Sequence, residues 1–92
     1  MPVTVWIPAQ LRPVTGGKIE VQAAGDTVDD VLLDLERQFP GLKERLLDER
    51  GEVRGFLSVC VNDEDIRFLQ AGKTPIREGD ELSIIPAVAG GR

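Results

Sequence analysis

Polar and apolar positions alternate from the start of the chain. Val3, Val5 and Ile7 fall on one side and Thr4 and Trp6 on the other, the period of a strand, and the run ends at Pro8. After a loop holding Pro13, Gly16 and Gly17, the segment 18–23 alternates again with Ile19, Val21 and Ala23 on one face, so the two runs predict a hairpin. The period then changes. Val28, Val31, Leu32, Leu35 and Phe39 recur three and four apart, predicting a helix that begins near Thr27 and packs one stripe on a core. Asp29 and Asp30 suit its first turn, where they meet open amides and the positive end of the dipole, while Asp34, Glu36 and Arg37 are expected to face water. Pro40-Gly41 stops it, and residues 42–47 predict a short helical turn that places Leu42 and Leu46 on the core.

A polar loop over 48–52 leads back to strand periodicity, with Leu57, Val59 and Val61 alternating against Phe56, Ser58 and Cys60 up to a turn at 62–65. Ile66-Arg67-Phe68 predicts a short strand, residues 70–80 a loop, and 81–85 a last strand before Pro86. The order is β-β-α-β-β-β. Each element is apolar on one side only, so one helix laid on one face of a mixed sheet buries every stripe. That architecture is α+β, a β-grasp (ubiquitin-like) fold; a ferredoxin-like plait would require a second helix of comparable length. Residues 1–86 form the expected domain, and 87–92 a tail ending Gly-Gly-Arg.

Composition narrows the function. Ninety-two residues allow one small core, and 41% hydrophobic against 29% charged residues argue for a folded domain. Eleven Lys and Arg against 16 Asp and Glu give a net charge of −5, which disfavours nucleic acid as a partner. With no histidine and one cysteine, the chain lacks zinc-ligand spacing, a Ser–His or Cys–His pair and an internal disulfide, so no catalytic residues and no metal site are expected. No apolar run is long enough for a membrane helix and the amino terminus does not resemble a secretory signal, making the cytoplasm the expected location.

Two regions could carry function. Residues 87–91 hold no charge and no side chain larger than Val88, and at about 3.3 Å per residue they reach about 16 Å, enough to place a terminal group in a recessed site of another protein. Gly90 and Gly91 have no Cβ to clash with a narrow tunnel. Taken alone, Gly-Gly-Arg is equally a frayed end. The second region is the sheet face away from the helix, where Trp6, Phe56, Cys60 and Ile85 are expected to point outward as a docking patch. Cys60 reads as a small hydrophobe rather than a persulfide relay, because no His or nearby Lys is evident to lower its pKa. The acidic run 62–65 lacks the spacing of a calcium loop, and Asp29, Asp30 and Asp34 suit capping better than acid/base chemistry.

Several motifs together resemble a family. The stretch Val61-Asn62-Asp63-Glu64-Asp65-Ile66-Arg67-Phe68, the ending Ile84-Ile85-Pro86-Ala87-Val88-Ala89-Gly90-Gly91, the opening Val3-Thr4-Val5, Leu11-Arg12-Pro13 with Gly16-Gly17, and Gly25-Asp26-Thr27 are similar to the ubiquitin-like sulfur carriers of the MoaD/ThiS superfamily. Within it they most resemble the CysO-type carriers of cysteine biosynthesis. The resemblance implies a protein that is not itself an enzyme. An E1-like adenylating enzyme would use ATP to activate the carboxyl group of Gly91 and convert it to a thiocarboxylate, with residues Ala87, Val88, Ala89 and Gly90 threading into the partner. The sulfur would pass to a PLP-dependent cysteine synthase or another sulfur-accepting synthase, and a JAMM-type metalloprotease would release the product. No cofactor would be bound by the carrier, and neither membrane nor nucleic acid would be a partner. Gly91 is in a peptide bond with Arg92, so the resemblance implies that Arg92 is removed first, or else that it is a dispensable extension. The same chemistry would serve molybdopterin, thiamine or thiosugar formation, and a ubiquitin-like protein modifier uses the same activation.

Overall fold

The computed structural model describes residues 2–86; the expectations for residues 87–92, and with them the proposed domain boundary, lie outside the described residues. Five strands form one sheet in the order β2-β1-β5-β3-β4, with β1 at Pro2–Trp6, β2 at Glu20–Ala24, β3 at Leu57–Val61, β4 at Glu64–Asp65 and β5 at Glu81–Pro86. β5 inserts beside β1 in parallel, and the other pairings are antiparallel, so the sheet is mixed as expected. Helix α1, Val28–Gln38, and the short α2, Leu42–Leu46, complete the helical layer. This is the β-grasp arrangement.

The core forms where the two periodicities meet. Val3 and Val5 of β1, Leu57 and Val59 of β3, and Leu82 and Ile84 of β5 face Val28, Val31, Leu32 and Leu35 of α1, all of them buried. Thr27 caps α1, its Oγ1 accepting from the Asp30 N–H at 3.2 Å, and Asp29 and Asp30 occupy the first turn. At the far end Gly41 adopts φ 99°, a left-handed turn that lets the chain reverse into α2. Leu42 and Leu46 are buried as the spacing predicted, and Phe39 is half-buried against the same core.

Three expectations change, and the loops add core residues that periodicity did not announce. Ile19 is exposed, because β2 begins only at Glu20. Asp34 and Glu36 do not simply face water: Asp34 Oδ2 accepts from the Ala24 N–H at 2.9 Å, tying α1 to the edge strand β2, and Glu36 accepts from the Gly41 and Lys43 amides. The short strand is Glu64–Asp65, not residues 66–68. Asp65 Oδ1 takes the Arg67 N–H at 2.8 Å and turns Ile66–Phe68 into a single 3-10 turn, with Ile66 buried and Phe68 outside. Finally, the loops contribute core: Leu11 from a 3-10 turn at Ala9–Leu11 and Ile76 from the segment before β5 are both buried.

Candidate functional site

On the face away from α1, alternate residues of the central strands project outward. Register places Trp6 of β1 beside Ser83 of β5, Ser83 beside Cys60 of β3, and Cys60 beside Asp65 of β4. One step towards the end of β5, Ile85 stands opposite Ser58, and Pro86 pairs with Leu57. Trp6 is 38% exposed, Ile85 44% and Phe56 58%, so three of the four residues expected on an outward patch are reachable. The Trp6 indole N–H donates to Glu81 Oε1 at 3.0 Å, which fixes the ring over the β1–β5 pair.

Cys60 departs from that expectation. It lies on this face by register but is only 7% exposed. The reason lies in the 3-10 turn: Arg67 folds back over the β3–β4 pair, its Nη2 donating to Asp65 Oδ2 at 2.7 Å and to Ser58 Oγ at 3.3 Å. Ser58 is buried with it, so all five residues of β3 are buried where simple alternation exposes two. Burial raises the Cys60 thiol pKa, and the Asp65 and Asp63 carboxylates push it further in the same direction against a smaller opposing pull from Arg67. Such a thiol is a poor nucleophile. The Arg67 hydrogen bond holds the Asp65 carboxylate below its ordinary pKa.

The patch borders the end of β5, from which residue 87 continues. Phe56, just before β3, also lines a hollow of about 350 Å³ with Gln10, Leu11, Arg54 and the α2 residues Glu44 and Arg45. Arg54 and Arg12 were not candidates at the level of sequence, although Arg12 stands in the Leu11-Arg12-Pro13 motif. Their tethers, to Glu44 O and to Ile7 O, depend on loop paths that periodicity does not reveal. Among the described residues no group of His, Cys, Asp and Glu is arranged to hold a metal ion, and no helix is long and apolar enough to cross a membrane.

The ThiS family profile matches residues 5–91. The chain belongs to the ThiS family. It is 50% identical over 93 residues to sulfur carrier protein CysO of Mycobacterium tuberculosis, covering 99% of this chain and 100% of the relative. A crystal structure of M. tuberculosis CysO superposes with a TM-score of 0.90 at 48% identity, covering 94% of this chain and 99% of that one. The Amycolatopsis orientalis BexX/CysO complex gives 0.87 at 46% identity, covering 97% and 99%. Small archaeal modifier protein 3 of Haloferax volcanii is 38% identical over 85 residues, covering 90% of this chain and 91% of the relative. The ThiS resemblance read from the motifs and the ubiquitin-like β-grasp fold therefore both hold. Similarity from end to end supports, at the coarse level, a sulfur carrier protein like CysO. Its relatives are carriers and modifiers rather than enzymes, and the BexX/CysO complex is an instance of such a carrier seated on a partner protein.

Proposed function

We propose that this ThiS-family chain carries sulfur on Gly91 as a C-terminal thiocarboxylate and delivers it for cysteine formation. The observation that carries the reading is the extent of the family match, which runs through the diglycine and ends at residue 91, leaving Arg92 outside it. Hydrolysis of the Gly91–Arg92 peptide bond frees the Gly91 carboxylate. That carboxylate resists sulfide until an E1-like partner joins it to the α-phosphate of ATP, releasing pyrophosphate; sulfide then attacks the acyl carbon and AMP departs. The thiocarboxylate sulfur next takes the place of the departing β-oxygen leaving group of an activated serine derivative held by a PLP-dependent synthase, and a JAMM-type metalloprotease hydrolyses the resulting carrier–cysteine adduct with water, releasing cysteine and restoring the carboxylate. ATP and the other cofactors belong to those partners. The carrier supplies the tail and a docking face on which Trp6, Phe56 and Ile85 are exposed, while Cys60 serves packing.

The archaeal modifier relative favours a second reading, in which the activated Gly91 is joined to lysines of other proteins. The two separate cleanly. The protein ending at Gly91, treated with activating enzyme, ATP and sulfide, is expected to gain the mass of an oxygen-to-sulfur replacement at its terminus; high-mass conjugates in lysate without that product favour the modifier.

A further inference from the structure

We propose that Arg12 and Arg54 form a guanidinium clamp at the root of the tail that receives carboxylate side chains of the protein partner. The inference rests on the docking face of the sulfur-carrier reading. Arg54 Nε and Nη2 both donate to Glu44 O, at 3.0 and 2.9 Å, and Arg12 Nε donates to Ile7 O at 3.1 Å. Backbone carbonyls thus orient the two guanidiniums without neutralising them. Among the described residues the close ion pairs are Arg37–Asp34 and Arg67–Asp65, and neither involves the clamp. Two acidic groups face Arg54: Glu44, which shares its hollow, and Asp48, whose pKa it helps lower from beyond ion-pair distance. Both arginines are half-buried, so their side-chain freedom is already restricted before a partner arrives.

Position gives these cations their meaning. Phe56 lines the hollow with Arg54, and the next residue, Leu57, pairs with Pro86, where the described part of β5 ends. Ile7, which tethers Arg12, directly follows β1, the parallel neighbour of β5. The clamp therefore brackets the point from which the tail continues. The chain as a whole is at −5, and Asp26, Asp29, Asp30, Asp63, Glu64 and Asp80 sit at the opposite ends of the strands, around the start of α1 and the β3–β4 turn. Glu20, opposite Trp6, and Glu44 and Asp48, facing Arg54, are acidic at this end too, so the attraction for a carboxylate is local to the two guanidiniums and not a field of the whole molecule. Arg54 beside the exposed Phe56 matches the arginine and aromatic enrichment of protein interface cores, whereas the overall negative charge disfavours a polyphosphate.

Binding to A. orientalis BexX, the protein seen in complex with the 46%-identical CysO, provides the test. The variant Arg12→Gln/Arg54→Gln keeps a donor for each tethering carbonyl. It is expected to retain the wild-type circular dichroism melt and to bind BexX about tenfold more weakly at about 50 mM NaCl, with the gap narrowing at about 300 mM. Lys73→Gln, on the turn against the start of α1, is expected to bind as the wild type. Equal binding by wild type and double variant, or a gap indifferent to salt, overturns the clamp. Trp6→Glu in the same series separates the two ideas: weakened binding by Trp6→Glu alone leaves the docking face standing without the clamp, and a wild type that does not bind BexX overturns both. A measurement that needs no substitution is the NMR signal of the arginine Nε–H groups in the wild type. Movement on adding BexX is expected; signals that ignore BexX but shift when residues 87–92 are deleted assign the clamp to the chain's own terminal carboxylate and overturn the proposal.

Discussion

Asn62 and Asp63 carry φ angles of 48° and 74°, the left-handed pair that closes a two-residue hairpin between β3 and β4. Asn62 also fastens this turn to the start of β5, donating to Asp80 Oδ1 at 2.9 Å and accepting from the Glu81 N–H at 3.0 Å. Asn62→Ala loses both bonds and puts alanine at a left-handed φ that asparagine tolerates better, so it is expected to cost about 1–2 kcal/mol, measurable by urea unfolding. Cys60 gives a second prediction at this scale. Its buried, raised-pKa thiol should react with an aromatic disulfide reagent far more slowly in the native protein than in urea, and Cys60→Ala should still form a thiocarboxylate; rapid native labelling would contradict the covering role of Arg67. Alternation told which way Cys60 points. It could not tell that Arg67, seven residues later, folds back across the strand.

Helix α1 was the element most legible in the chain, since its cap, stripe and stop all agree. Thr27→Ala is expected to cost about 1 kcal/mol through loss of the cap, and Leu35→Ala, at 1% exposure, about 2–5 kcal/mol through lost burial and a cavity. The contacts that tie α1 outward were not legible, because they join side chains to amides of other segments. Asp34 is held below its ordinary pKa first by the Ala24 N–H and then by Gln38 and Arg37; Glu36 is lowered by the Gly41 and Lys43 amides. In both, the unfolded chain binds the proton more readily than the folded one. Their contribution is present above the ordinary carboxylate pKa and is lost as pH falls through the lowered folded value. The melting temperature of the wild type is therefore expected to drop below about pH 4, and that of Asp34→Asn/Glu36→Gln to start lower and depend less on pH. Equal pH slopes would contradict these ties. The strand expected at residues 66–68 failed for a related reason, since the Asp65 carboxylate captures the Arg67 amide and local side-chain bonding overrides β propensity.

At the scale of the whole molecule, the fold follows from four strands with an apolar face, a short acidic edge strand and one striped helix, and the insertion of β5 between β1 and β3 brings Pro86, where the described part of β5 ends, to the same end of the sheet as the exposed Trp6, Ile85 and Phe56. The sequence already showed the diglycine and the outward positions of those residues. The arginines at the tail root stayed hidden because only the folded loops bring residues 12 and 54 to the same end of the sheet. The central claim is that sulfur rides on the carboxyl group of residue 91, and tandem mass spectrometry of the protein ending at Gly91 tests it most directly, after incubation with an E1-like activating enzyme, ATP and labelled sulfide. The expected result is one sulfur atom replacing an oxygen on the terminal glycine, absent when ATP is withheld or when the chain stops at Gly90. Label found on Cys60, or sulfur transfer that persists without Gly91, would contradict the account.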